Sequence, residues 1–188
     1  MDKLYQYMFD TQLERECKIA LIALNEIKEY LNKPSSNSMI YFWYSVDSFL
    51  SATSNISKIF WTPSSKSDSK ARSKELRGIY NIKDDSPFND RTLRNHFEHF
   101  DERLDTWFSS SKHHNVFDSN IMSLDSVKGI DLSDTLRNFD PKKLQLYFMG
   151  DNLDLNTLED ALNQLQKTLK IVPFDVNNPN TLFDLYKK

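Results

Sequence analysis

The chain has 188 residues, of which 39% are hydrophobic and 13% aromatic, and carries a formal net charge of −3 at pH 7. This content suffices to bury one good core with a small appendage, and the slight acidity argues against a protein that coats nucleic acid indiscriminately. No apolar run is long enough to span a membrane, and the N-terminus shows no signal-peptide pattern. Cys17 is the only cysteine, so no intrachain disulfide is expected. These features predict a cytoplasmic protein.

Hydrophobic residues recur at helical spacing near the start of the chain and predict two long helices, over about residues 4–31 and 37–61. Cys17 lies on the apolar stripe of the first helix, so we interpret it as a core residue and not as a reactive thiol. The outer face of the second helix carries small polar residues, which permit close approach of another helix. Asp47 and Asn55 on this face are candidates for substrate binding, although such faces also occur without any role.

A third helix is predicted over about residues 68–80, within a stretch that is locally basic. Between residues 58 and 83, the basic side chains are Lys58, Lys66, Lys70, Arg72, Lys74, Arg77 and Lys83, against two acidic ones, Asp68 and Glu75. Such a patch could guide a phosphate backbone toward the next segment. The same residues could equally be the solvated face of a short helix.

The segment over residues 88–108 combines apolar residues at helical spacing with polar side chains that can take part in catalysis. Projected as a helix, it places Arg94 and His99 on the side opposite to an apolar stripe formed by Leu93, Phe97, Phe100, Leu104, Trp107 and Phe108. An arginine presents a permanently charged fork suited to phosphate oxygens, and a histidine passes a proton in either direction near neutral pH. Together they are a minimal set for cleaving a phosphodiester.

Other interpretations of the histidines and charges stay open. Charged residues also occur on the outer face of an ordinary helix, because water solvates them there and because opposite charges four residues apart can pair. His96 and His99 lie one turn apart, but without an HExxH pattern or a cysteine-containing zinc set we expect no metal. His113 and His114 are interpreted as an exposed pair in a polar link.

The pattern Arg94-Asn95, three residues and then His99 resembles the signature of the HEPN superfamily, the higher eukaryote and prokaryote nucleotide-binding domains. The extended run over residues 91–104, RTLRNHFEHFDERL, and the segment SNISK over residues 54–58 resemble a bacterial branch of uncharacterised HEPN-like proteins. The resemblance covers the chain up to about residue 109.

This resemblance implies a metal-independent endoribonuclease that needs no cofactor and acts as a homodimer through its motif helices. His99 would act as general base or acid on the ribose 2′-hydroxyl and the leaving oxygen of RNA. Arg94 would hold the phosphate and stabilise its charge, and Asn95 would position the substrate or orient His99. Glu98 joins Asp47 and Asn55 as a candidate substrate-binding residue. The expected setting is toxin–antitoxin or phage defence, with a possible antitoxin partner. The alternative is an inactive HEPN-like module that binds a nucleotide, RNA or a protein.

The second half of the chain shows no recognisable chemistry. Short apolar stretches predict strands over residues 135–139 and 144–149, with a possible third over 116–122, followed by a helix over 155–169. We therefore expect a mainly α protein, α+β overall. A HEPN-like four-helix bundle over residues 1–109 would precede a small antiparallel β element and a C-terminal helix over residues 110–188.

Overall fold

A computed structural model describes residues 2–33, 39–90, 99–114, 116–123, 126, 129, 131 and 134–169. Within this part the chain is mainly helical with one small sheet, which confirms the predicted α+β class. The described residues of Met1–Asn89 and Glu159–Lys188 form one compact unit, and those of Asp90–Leu158 form a second. No helix in these ranges is long and apolar enough to cross a membrane.

The first unit contains α1 (Lys3–Asn32), α2 (Met39–Phe60), α3 (Ser67–Ile79) and a 3₁₀ helix (Pro87–Asn89). The predicted bounds of the three α-helices agree with these within two residues. Asp2 caps α1, because its carboxylate accepts hydrogen bonds from the backbone N–H groups of Leu4 and Tyr5.

Apolar stripes of α1 and α2 face each other and form the core of this unit. The helices run antiparallel, since Glu26 near the end of α1 bonds Ser45 and Glu16 nearer its start bonds Asn55. The buried side chains of this seam include Leu13, Ala20, Leu24, Ile27, Phe42, Val46, Phe49, Ile56 and Phe60. Cys17 is fully buried among them, which confirms its interpretation as a core residue.

Helix α3 packs on α2 and uses two of the basic residues for packing. Arg77 Nη1 donates to the Phe60 carbonyl at 2.5 Å, and its guanidinium lies 5.2 Å from the centroid of the Trp61 ring. The Arg72 guanidinium lies 4.8 Å from the centroid of the Phe9 ring. Such cation–π contacts are structural, so these two arginines contribute less to a phosphate-binding patch than their sequence suggested.

The second unit contains α4 (Phe100–Ser110), β1 (Asn120–Ile121), β2 (Arg137–Asp140), β3 (Gln145–Phe148) and β4 (Asp151–Asp154). The strands are hydrogen-bonded in chain order, with Phe139 opposite Leu146 and Leu146 opposite Leu153. The predicted β2–β3 hairpin is confirmed. Helix α5 (Leu155–Thr168) follows β4 directly, and Asp154 Oδ1 accepts from the Asn156 N–H at 2.8 Å.

The expectation of a purely antiparallel element is wrong, because β1 pairs with β2 in parallel. About fifteen residues separate these two strands, which is long enough for a crossover connection that returns the chain in the same direction.

The prediction of one continuous helix over residues 88–108 is also wrong. Phe88 belongs to the 3₁₀ helix and is 2% exposed within the first unit, and Asp90 is not helical. His99 has φ −120° and ψ 44°, outside the helical range, so α4 starts only at Phe100. Residues 91–98 lie outside the described part.

Contacts of α4 explain why the division into units falls earlier than the predicted boundary after residue 109. The Phe100 ring centroid lies 5.8 Å from that of Phe148 in β3, and Ser111 Oγ donates to Asp134 Oδ1 at 2.5 Å. The helix expected to complete a bundle therefore groups with the sheet.

A half-buried ion pair joins Arg137 in β2 to Asp118, which precedes β1. Arg137 Nε and Nη2 donate to the two carboxylate oxygens of Asp118 at 2.8 and 2.5 Å, and the guanidinium lies 4.7 Å from the centroid of the Phe100 ring. Burial raises the pKa of Asp118, but the hydrogen bonds and charge of Arg137 outweigh it and leave that pKa below its usual value.

Asp118→Asn should lower the free energy of unfolding at pH 7 by about 1–3 kcal/mol, because it removes the negative charge that binds two N–H groups of a part-buried guanidinium. Since the folded pKa is depressed, the ion pair contributes fully above pH of about 4 and is lost as the pH falls through that folded pKa. Urea unfolding between pH 3 and 7 checks this. The deficit of Asp118→Asn should shrink toward pH 3, whereas the exposed Asp105→Asn should match the parent chain throughout.

Cys17 should resist alkylation in the folded protein. Burial raises the pKa of its thiol to about 12, and Sγ donates to the Leu162 carbonyl at 3.5 Å. Iodoacetamide at pH 8, followed by mass spectrometry, should label the chain completely in urea and leave it unlabelled in buffer over the same time. Rapid labelling of the folded chain would contradict the burial.

Candidate functional site

Three of the predicted site residues, the catalytic candidates Arg94 and Asn95 and the substrate-binding candidate Glu98, lie outside the described part of the chain. Their placement relative to His99 therefore stays a prediction. The other predicted site residues are described: His99 directly precedes α4, and Asp47 and Asn55 lie on α2.

His99 is the residue immediately before α4. Its carbonyl accepts the first helical hydrogen bond, from the Arg103 N–H at 3.0 Å. The side chain is 54% exposed, and Nδ1 lies 3.8 Å from Glu102 Oε1. This separation suits an ion pair but exceeds a hydrogen bond. The imidazole is therefore open to a ligand, with a carboxylate beside one of its nitrogens.

Arg103 follows His99 by one turn and so projects from the same side of α4. Its Nε is buried and has no hydrogen-bond partner, and Arg103 forms no ion pair with any residue in the described ranges. Leaving a buried donor on a charged group unpaired is costly. The Nη groups, which make no hydrogen bond with a described residue, are the donors of this guanidinium that an anion can reach.

Arg103 is not among the site residues predicted from the sequence. Its four-residue spacing from His99 was the available signal, but the same spacing also describes an ordinary solvated helix face. What distinguishes Arg103 is the unpaired and partly buried state of its guanidinium, and only coordinates reveal that state.

Asp47 and Asn55 line one groove of about 650 Å³ between α1 and α2. The other described residues that line this groove are Gln12, Arg15, Glu16, Ile19, Tyr44, Ser48, Ser51, Ala52 and Ile59. Most of these side chains are polar, whereas Ala52 and Ile59 are buried and apolar. The structure thus brings together the two candidate substrate-binding residues of the second helix.

Glu16 is the functional candidate in this groove that sequence reasoning missed. It is only 4% exposed, and its Oε1 accepts from Gln12 Nε2 at 2.6 Å while its Oε2 accepts from Asn55 Nδ2 at 3.2 Å. Across the described part of the chain, no cation lies within ion-pair distance of it. Its position beside Cys17 on the apolar stripe of α1 was a usable signal.

Three lysines of the basic stretch form a short row of exposed positive charges. Lys66, Lys70 and Lys74 follow each other at four-residue spacing, are exposed, and make no ion pair with any residue that the structure describes. A row of this kind can attract a polyanion, but its charges are separated by solvent and confer no specificity.

His113 and His114 are both exposed, which confirms the predicted exposed pair. His114 Nε2 also lies 3.0 Å from the Phe108 carbonyl, and its ring packs edge-on against the Phe108 ring, with 5.1 Å between centroids. The described residues contain no group of three or more His, Cys, Asp or Glu side chains that could hold a metal ion.

No protein-family model, curated protein or solved structure matches this chain. Its own residues are therefore the basis for assigning a function.

Proposed function

We propose that the chain is a metal-independent endoribonuclease of the HEPN type. The observation that supports this proposal best is the exposed imidazole of His99, with the Glu102 carboxylate 3.8 Å from Nδ1 and the unpaired guanidinium of Arg103 one turn away. Transfer of a phosphoryl group within RNA requires a side chain that transfers protons, beside a cation that binds the phosphate.

In the proposed reaction, the ribose 2′-oxygen attacks the adjacent phosphorus and the bond from phosphorus to the 5′-oxygen breaks. The proton of the 2′-hydroxyl passes to a base, and the leaving 5′-oxygen receives a proton from an acid. The products are a 2′,3′-cyclic phosphate and a 5′-hydroxyl. His99 serves as one of these groups, and Arg94 and Arg103 stabilise the charge that develops on the phosphate oxygens.

A homodimer through the motif segments would supply the second imidazole, so that one His99 acts as base and the other as acid. In this arrangement Asn95 and Glu98 position the substrate beside the motif, and the chain acts in the cytoplasm in toxin–antitoxin or phage defence, under control of a possible antitoxin.

One observation favours the second candidate, an inactive module that binds RNA, a nucleotide or a protein. The Glu102 side chain is 71% exposed and too far from His99 for a hydrogen bond, so no described residue fixes the orientation of the imidazole. Catalytic histidines are usually oriented by such a bond.

With EDTA present, the purified protein should cleave end-labelled structured RNAs and leave 2′,3′-cyclic phosphate ends. His99→Ala should lower the cleavage rate by about 10²–10⁴-fold, because it removes the group that transfers a proton. The exposed His113→Ala is the matched control and should cleave at the parent rate. If the folded protein binds RNA without cleaving it, the binding module is the correct assignment.

Arg103→Ala should weaken RNA binding and cleavage by about tenfold or more, and Arg103→Lys should restore only part of this, since lysine keeps the charge but lacks the fork. Fluorescence anisotropy at several salt concentrations measures the affinity. The slope of log affinity against log salt should become shallower in the alanine variant. Lys112→Ala in the polar link provides the control, and an equal loss in both variants would argue against a specific role for Arg103.

A further inference from the structure

We infer that the face formed by α1 and α2 binds a second copy of this chain in antiparallel orientation. The inference does not rest on the proposed ribonuclease, because none of the residues that carry it takes part in the proposed proton transfer. The interface is also distinct from the pairing of the motif segments. All of the side chains concerned belong to the first unit.

This face lies on the side of α1 that is turned away from α5. Cys17 and Lys28 contact residues of α5 through their side chains. At about 100° per residue, these two side chains project from the opposite side of α1 to Arg15 and Glu26. Packing of α5 therefore leaves the face of α1 and α2 open.

Two grooves run along this face, with volumes of about 650 and 800 Å³, and Tyr44 lines both of them. Ser48 and Ser51 of α2 line the first groove. How closely two helices approach depends on the side chains at their contact, and serines are small enough to permit a close approach. The middle of the face can therefore receive another helix.

Large apolar side chains are exposed at both ends of this face. In the first two turns of α1, Leu4 and Met8 are 70% and 61% exposed, and they project from the same side as Arg15. In the first two turns of α2, Ile40 and Tyr44 are 74% and 64% exposed. Because the two helices are antiparallel, these pairs lie at opposite ends. Exposed apolar side chains grouped in this way are typical of surfaces that bind protein.

Charge is divided between the same two ends. Arg15 lies toward the Leu4 end, is exposed and has no ion pair with any described residue. Glu26 and Glu29 line the second groove, are exposed, and pair with no cation in the part of the chain described. The other charged residues that line the two grooves are Glu16, which is nearly buried, Asp47, and Lys33 at the end of α1.

A second copy, rotated by 180° about an axis through the middle of the face, matches both patterns at once. Eleven residues separate Arg15 from Glu26, which is about 16 Å along α1. An axis halfway between them places Arg15 of each copy opposite Glu26 of the other. The same rotation brings Leu4 and Met8 toward the apolar start of α2 in the other copy. In a two-fold interface every contact occurs twice, so the complementarity is doubled.

The face is large enough for a stable dimer. Helix α1 has 30 residues and α2 has 22, so strips about 10 Å wide along both helices cover roughly 800 Å². Stable protein interfaces bury about 800 Å² on each partner.

A basic segment of another protein is the chief competitor for this face, because Glu26 and Glu29 would attract it. Arg15 argues against such a segment, since it would repel further cations. A second copy supplies a cation for the acidic end and an acid for Arg15 in one arrangement. The charge pattern therefore favours a second copy over a basic partner.

The test reverses the two charges that face each other and measures the dissociation constant by sedimentation velocity at about 50 mM salt, where screening is weak. The parent chain should self-associate. Arg15→Glu and Glu26→Arg should each raise the dissociation constant by about tenfold or more, because each places like charges opposite one another. An equimolar mixture of the two variants should recover the parent affinity, since opposite charges then meet in both contacts. Lys74→Glu, an exposed reversal on α3, is the matched control and should behave as the parent.

Ile40→Ser provides a second test that leaves the charges unchanged. It should also weaken self-association, and circular dichroism should show the helix content of the parent. Because Ile40 is exposed, its loss has little effect on the folded monomer.

A monomeric parent chain, or self-association that neither charge reversal weakens, would overturn the inference. Failure of the mixture to recover the parent affinity would also overturn it, because a general loss of stability does not depend on the charge of the partner. A monomeric parent that binds an arginine-rich peptide would assign the face to a basic protein instead. Assembly and RNA cleavage are separate measurements, so loss of the ribonuclease proposal would leave this result intact.

Discussion

The packing of α1 against α2 is the interaction on which the first unit depends. Large side chains such as Phe42, Phe49 and Leu24 are almost completely excluded from solvent along this seam, and burial of each contributes about 1.5–3 kcal/mol. Helix α3 and the 3₁₀ helix add to an already formed pair, through contacts such as those of Arg77 and Phe88. Because the seam is long and continuous, it also fixes the register of every polar side chain along its margins.

That register places several polar side chains together at the margin of a stabilising interface. Glu16 and Asn55 meet because the antiparallel helices bring these positions together, and their hydrogen bond lies at the margin of the same seam that buries Cys17. The small residues Ser48 and Ser51 leave the margin open as a groove. Apolar packing thus fixes the positions of the polar side chains that line the groove.

Sequence patterns predicted α1, α2, α3, the β2–β3 hairpin and α5, because each has a clear hydrophobic period or a strong cap. They failed for β4, whose residues Asp151 to Asp154 are mostly polar and exposed, so no alternation marked it. They also failed for the start of α4, since the apolar spacing around Phe88 did not reveal its burial in the first unit. Asp47 and Asn55 could be proposed as candidates because they share one helix face, whereas Glu16 and Arg103 are distinguished by partners, or by the lack of them, that a sequence does not show.

The unpaired guanidinium of Arg103 has a thermodynamic consequence. Without an acceptor, the folded chain carries the desolvation cost of a charged donor, and any anion that binds there lowers the free energy of the folded state relative to the unfolded one. Stability and anion concentration are then linked, so that buffers rich in phosphate would raise the melting temperature. The folding equilibrium of this chain would thereby report whether an anion binds at Arg103.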